Sequence, residues 1–209
     1  MQKYVVEFIG TFFLVLTVGC TVYGSPAGVI PPLAIGSALM VMIYAGGHIS
    51  GGHFNPAVTF GVFLRGRCSL TDAPIYVAAQ LFGGALAAVT VQYFFFLLPV
   101  PASLATNFGP QFLAEFLFTF ALVWVVLNSA TSKDTDGNSF YGLAIGFTVL
   151  TGAFAVGGIS GGAFNPAVAL GVSILHLVDI GNVWWYWVAE LAGGFVAALL
   201  FKWANPLDI

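Results

Sequence analysis

Residues 51–58 read Gly-Gly-His-Phe-Asn-Pro-Ala-Val, and residues 161–168 read Gly-Gly-Ala-Phe-Asn-Pro-Ala-Val. The copies lie 110 residues apart in a chain of 209. A single Asn-Pro-Ala carries little information. Two copies with matching flanks, one in each half, mark a duplication. The chain is therefore expected to fold as two versions of one plan, each presenting its octapeptide in an equivalent setting.

The surroundings of the octapeptides narrow the setting. Only 6% of residues are charged and 59% are hydrophobic, with a mean hydropathy of +0.99. A soluble domain of this composition could not cover its surface with polar groups. The net charge of −3 gives no reason to expect a nucleic-acid partner. Cys20 and Cys68 read as free thiols without a disulfide framework. The first apolar run is as long as a membrane span and has no small-residue cleavage site behind it, so it does not read as a cleavable signal.

That run, Tyr4 to Tyr23, is about 20 residues and crosses a bilayer. Its one charge is Glu7, and Gly24-Ser25-Pro26 is expected to end it. A second run covers Pro31 to Gly47. The first octapeptide follows, then an apolar segment from Pro56 to Leu64. At about 10 residues and 1.5 Å per residue it spans only ~15 Å, half a membrane. Ala73 to Leu98 forms a third full span. Pro99, Pro101 and Gly109-Pro110 mark the linker between halves. The second half repeats the order: a span over Gln111–Ser129, a polar loop over Thr131–Ser139, a span over Phe140–Val156, the second octapeptide, a half-length helix over Pro166–Leu175, and a span over Val183–Trp203. Glu7 and Thr11 align with Glu115 and Thr119, and Gln80-x-x-Gly83-Gly84 aligns with Glu190-x-x-Gly193-Gly194.

The expected fold is thus an all-α membrane protein with six transmembrane helices and two re-entrant half-helices. It forms a single transmembrane channel domain, 1–209, made of two repeats, 1–100 and 110–209. Three full spans per half is an odd number, so the second repeat enters from the opposite side and the repeats are inverted about an axis in the membrane plane. With this topology Lys3, Arg65, Arg67, Lys133 and Lys202 all fall on the side of the termini, which the positive-inside rule makes cytoplasmic.

The octapeptide has a matching chemistry. Non-helical backbone at membrane depth is tolerated only inside protein or along a watery cavity. The stretches Gly51-Gly52-His53 and Gly161-Gly162-Ala163 leave carbonyls free as acceptors. Asn followed by Pro starts a helix: Asn caps, and Pro fits the first helical position. Asn55-Pro56-Ala57 and Asn165-Pro166-Ala167 therefore open two half-helices whose positive dipole ends meet near the midplane. Such a point repels cations. The two Asn amides can hold a water oxygen there and break the chain along which a proton would hop. Phe54 and Phe164 are expected to supply apolar bulk beside the carbonyls.

Six spans, two half-spans and paired Asn-Pro-Ala motifs resemble the aquaporin, or major intrinsic protein, family over essentially the whole chain. The resemblance implies the family's proton barrier at paired half-helix dipoles. It also implies buried carboxylates at Glu7 and Glu115 that fix the loop backbones, a homotetramer with one pore per subunit, and no cofactor or metal. Its selectivity ring carries over to Ile35, Ala153, Gly162 and Val168, with Phe154 in place of Ala153 if the register shifts by one. Typical members have Arg at the position of Val168, and water-selective members have an aromatic and a His at the positions of Ile35 and Ala153. Here the ring has no fixed charge and no large aromatic, and no subfamily pattern matches cleanly. The implied function is a passive channel for water and small neutral solutes, such as glycerol, urea, ammonia or hydrogen peroxide, that excludes ions and protons.

Other readings are weaker. His48 and His53 have no Cys or carboxylate at ligand spacing, which argues against a metal site. His53 is expected to pack within its loop, His48 to lie near the cytoplasmic mouth, and His176 to serve a helix C-terminus. Trp184, Trp185 and Trp187 look like an interfacial belt. Gly142-x-x-x-Gly146 and the Gly83-Gly84 and Gly193-Gly194 pairs are expected to allow close helix crossings. No nucleophile–base constellation exists, which argues against an enzyme. A non-transporting structural membrane subunit with the same fold is the alternative, and intact Asn and Gly residues in both loops argue against it.

Overall fold

The structure, a computed structural model, describes residues 1–24 and 28–208. Ser25 and Pro26, expected to end the first span, lie outside the described residues. Among the described residues the chain forms eight α-helices: α1 (Gln2–Val22), α2 (Pro31–Ser50), α3 (Pro56–Arg65), α4 (Asp72–Phe94), α5 (Phe108–Val126), α6 (Tyr141–Ser160), α7 (Pro166–Ile174) and α8 (Val183–Ala204). Six of them are long and apolar enough to cross a membrane, and α3 and α7 are the short pair.

Local chemistry sets the boundaries. α2 and α6 run three to four residues past the expected ends and stop where Gly51 and Gly161 take left-handed backbone, φ 90° and 91°. A residue with a Cβ pays a steric penalty there, so glycine stops the helix. Gly109 and Pro110 do not belong to the linker. They lie in the first turn of α5, where a missing N–H costs nothing. α4 ends at Phe94 rather than Leu98. α5 continues into a wider π turn, Leu127–Thr131. There Asn128, Ser129 and Thr131 side chains bond back to the carbonyls of Trp124, Val125 and Leu127 at 2.8, 2.7 and 2.6 Å, competing with the regular backbone ladder.

Lipid tails are as apolar as leucine, so helix association in a membrane depends on close packing more than on burial. Glycine supplies that closeness at matching places in both halves. A Cβ on Gly83 would lie 2.6 Å from the Phe8 carbonyl of α1, and one on Gly193 would lie 2.5 Å from the Phe116 carbonyl of α5. Gly84 and Gly194 face the carbonyls of Ala167 and Ala57 in the half-helices. Gly36 of α2 and Gly146 of α6 face each other's carbonyls, and Gly142 lies under Tyr44. The long helices are thus drawn in around α3 and α7. Phe54, Val15, Val123 and Ala167 at this centre are fully buried.

The tryptophan belt is corrected. Trp184 is 63% exposed, but Trp185 is 3% exposed and stacks on Tyr186. Trp187 is half-buried, with its indole N–H donating to the Pro166 carbonyl at 2.9 Å. Residues one apart on a helix point about 100° apart, so the three cannot share one lipid face. At the end of the bundle where the chain termini lie, Lys3 pairs with Asp72 at 2.8 Å, and Asp208 gathers Arg65, Arg67 and the Lys133 backbone.

Candidate pore

The two Asn side chains are oriented by their own helices. Asn55 has extended backbone and its Oδ1 accepts from the Ala57 and Val58 N–H groups at 2.8 and 3.4 Å. Asn165 does the same for Ala167 at 2.9 Å. With Oδ1 fixed as a cap, Nδ2 must point away from the helix. It crosses to the opposite loop: Asn55 Nδ2 donates to the Phe164 carbonyl, and Asn165 Nδ2 to the Phe54 carbonyl, each at 2.9 Å. The half-helices therefore meet N-terminus to N-terminus, tied by a reciprocal pair of hydrogen bonds. A primary amide has two N–H donors, so each Asn keeps one for the cavity it lines.

The loops before the helices are strained and held. Phe54 and Phe164 have left-handed backbone, φ 48° and 49°. For a bulky residue this is a true outlier that its surroundings must impose. Buried carboxylates impose it. Glu7 Oε1 accepts from the Ser50 hydroxyl at 2.6 Å and the His53 N–H at 3.0 Å, and Oε2 accepts from the Phe54 N–H at 2.7 Å. Glu115 accepts from the Ala163 N–H at 3.1 Å and the Phe164 N–H at 2.7 Å. Each carboxylate turns two successive N–H groups away from the pore, which aims the neighbouring carbonyls the other way. The phenyl rings are not on the pore. They are at most 1% exposed and pack into the core, Phe54 against Gly10 and Phe164 against Gly152 and Phe118.

Several residues that position the loops escaped the reading of the sequence. Ser50 and Ser160 receive the N–H groups of Gly52 and Gly162. The hydroxyls of Tyr76 and Tyr186 donate to the carbonyls of Ser50 and Ser160. Gln80 bridges Glu7 and Thr59 at 2.8 and 2.9 Å, and Thr59 meets His53 Nδ1 at 3.1 Å. The Ser and Tyr pairs recur at the repeat spacing, so position-by-position comparison of the halves was the signal that could have found them; Gln80, Thr59 and His53 have no such counterparts.

A narrow cavity of about 20 Å³ runs past the Asn pair, room for about one water. Ile35, Gly162 and Val168 line it, with Gly52, His53 and Ala163, and its remaining walls are aliphatic. Ala153 does not line it. Its Cα sits behind Gly162, and Phe154 is 59% exposed on the outer face. Gly51 and His48 line a wider, polar mouth of about 770 Å³ at the end carrying the basic residues. Asp208 braces two of its lining residues, Arg67 and Lys133. Burial pushes its carboxyl up, but the Ser132 hydroxyl, the Lys133 N–H and Arg65 outweigh this and hold it below the usual carboxylate range. His176 has left-handed backbone just past α7, and its carbonyl accepts from the Ser103 hydroxyl at 2.7 Å.

The geometry agrees with what known proteins show. The family profile described as Major intrinsic protein matches residues 1–201. The chain is 36% identical to "Probable aquaporin NIP4-2" of Arabidopsis thaliana, over 99% of this chain and 76% of that protein. It is 38% identical to "Glycerol uptake facilitator protein-like 6" of Lactiplantibacillus plantarum, over 95% of each. It is 37% identical to "Nodulin-26" of Glycine max, over 100% of this chain and 79% of that protein. The crystal structure of the aquaglyceroporin from Plasmodium falciparum superposes with a TM-score of 0.83 at 25% identity, covering 99% of this chain and 98% of that one. With six apolar helices, two opposed half-helices and this match over nearly its whole length, the chain belongs to the major intrinsic protein family of membrane channels, which are not enzymes.

Proposed function

We propose that this protein is a passive channel for water and small neutral solutes that excludes ions and protons. The observation that carries the reading is the pair of Asn55 and Asn165 amides, each with a second N–H, set at the opposed ends of two helix dipoles in a cavity whose other walls, His53 and the loop backbone apart, are aliphatic. A solute passing there must be small and neutral, and must accept a hydrogen bond in place of those it gives up. Residues 1–100 and 110–209 act as inverted repeats of one channel domain. Asn55-Pro56-Ala57 and Asn165-Pro166-Ala167 form its centre, and the carbonyls of Gly51, Gly52, His53, Gly161, Gly162 and Ala163 line the approaches. Ile35, Gly162 and Val168 form the selectivity ring, with Ala153 only backing Gly162 from behind, and Glu7 and Glu115 buttress the loops. The ring carries no charge, which suits solutes such as glycerol, urea, ammonia and hydrogen peroxide alongside water. That relatives are named for both aquaporins and glycerol uptake supports this breadth. The assembly is a homotetramer, and the positive end of the bundle, with both termini, faces the cytoplasm. Stopped-flow light scattering on proteoliposomes tests the reading. Water and at least one of glycerol, urea and ammonia are expected to cross faster than in empty vesicles.

The narrowness of the cavity favours one second reading, a structural membrane subunit whose pore is shut. No flux of any solute above the empty-vesicle rate would select it.

A further inference from the structure

One buried position breaks the chemical symmetry between the two loop supports. In the first half Gln80 of α4 donates its amide to Glu7 and to Thr59. Its counterpart on α8 is Glu190, which is fully buried. The counterparts of Thr59 and His53 are Ala169 and Ala163, so the polar chain that completes the first support is missing from the second. Glu190 instead reaches the pore residue itself: its Oε1 accepts from the Asn165 N–H at 3.0 Å. Its Oε2 meets no donor, and its carboxyl stands beside that of Glu115, because the three successive N–H groups of Ala163, Phe164 and Asn165 are divided between the two.

The groups facing this pair are few. α5 presents Glu115 and α6 presents Ser160. α7 presents the Asn165 N–H, and α8 presents Tyr186, whose hydroxyl is committed to the Ser160 carbonyl. Among the described residues no Lys or Arg pairs with either carboxyl. Two adjacent, fully buried carboxyls without a countercharge do not both ionise, because burial and mutual repulsion each disfavour the second charge. One proton between them replaces repulsion with a charge-assisted O–H···O⁻ hydrogen bond.

We propose that Glu115 and Glu190 share a single proton and that Glu190 is a positioning residue for Asn165. The protonated carboxyl does for Glu115 what the Gln80 amide does for Glu7. The ionised partner keeps accepting from Ala163 and Phe164, and Glu190 Oε1 fixes the backbone at the half-helix cap. The link to flux rests on the channel reading above, whereas the shared proton does not.

Infrared spectroscopy of the full chain in lipid vesicles reads the proton directly. Wild type is expected to show a protonated-carboxyl C=O band that shifts in D2O and is absent from Glu190→Gln. A wild type without that band, or a Glu190→Gln that keeps it, overturns the shared proton. Gln restores the first-half chemistry, so Glu190→Gln is expected to retain wild-type water permeability. Glu190→Leu, which cannot bond to either partner, is expected to lose about tenfold. Equal permeability of the Gln and Leu variants overturns the positioning role. A wild type without flux defeats the channel reading alone and leaves the infrared result to decide the pair.

Discussion

Asn55 donates its side-chain amide to the Phe164 carbonyl at 2.9 Å, across 109 residues of chain, and Asn165 returns the bond to Phe54 at the same distance. The two Asn residues therefore have two tasks each. They cap their own half-helix and lock the opposite loop, and only the remaining N–H is left for a solute. Asn55→Asp separates these tasks. Asp caps as well as Asn, but it offers no donor to Phe164 and places a negative charge against the two dipole ends. The variant is expected to fold while leaking protons. Decay of an imposed pH gradient in dye-loaded proteoliposomes measures the leak, and wild-type tightness would remove the Asn donors from the barrier.

Val168, a member of the proposed ring, lines a cavity that has no charged residue in its wall. Val168→Arg adds a bulky cation and several donors to the ring. Glycerol and urea flux is expected to fall about tenfold or more, equivalent to ~1.4 kcal/mol in barrier height, with water flux reduced less. Stopped-flow rates for the three solutes in one preparation give the ratio. An unchanged ratio would place the ring elsewhere.

The α2–α6 crossing leaves no room at Gly36 and Gly146, where a Cβ would lie 2.6 and 2.5 Å from the opposing carbonyl oxygens. Backbone cannot yield as a flexible side chain would. Gly146→Val is expected to cost at least the ~1–3 kcal/mol typical of overpacking and to lower the thermal unfolding midpoint in detergent. Gly158→Ala, on the same helix with open space around it, is expected to leave that midpoint unchanged or raise it, since Ala is the better helix former.

Asp208 accepts from Arg65 at 2.6 Å, lies 3.8 Å from Arg67, and binds the Lys133 N–H at 3.1 Å. It joins the end of α3 to the loop that walls the mouth. Its carboxyl is held below the usual range. The stability it contributes is therefore present above the unfolded value of about 3.9 and is lost as pH falls through the lower folded value. Wild type is expected to lose thermal stability on acidification below that range. Asp208→Asn is expected to start lower at neutral pH, because Arg65 is left buried without its carboxylate, and to show a shallower acid decline. Parallel acid slopes for the two proteins would show that the ion pair contributes nothing to the linkage.

The structure also separates what a linear reading reaches from what it misses. Asn55, Asn165, Glu7 and Glu115 were legible because polar residues recurring at the repeat spacing inside apolar runs have few explanations. Glu190 stood in the same kind of run and aligned with Gln80, but a match between halves drew attention to the shared glycines and not to the changed charge. Trp185 was misread because three aromatics close together look alike in sequence, while the helix turns them to different neighbours. Asp208 was invisible: an acidic residue near the end of a chain has no periodicity to reveal its partners.

By itself the sequence determined the topology. Hydropathy set the six spans, the length of the segments after each Asn-Pro limited them to half a membrane, and the duplication required the two halves to be alike. Local rules were enough, because span length, capping and glycine stops depend on neighbours along the chain. Only the tertiary structure decided which group meets which. That Asn55 bonds to Phe164 and not to its own loop, that the two Phe rings leave the pore for the core, and that Glu190 reaches the Asn165 N–H all depend on contacts between segments about 25 to 110 residues apart. Those contacts exist because close glycine packing brings the half-helices together at one depth, where hydrogen-bond geometry rather than sequence spacing selects the partners.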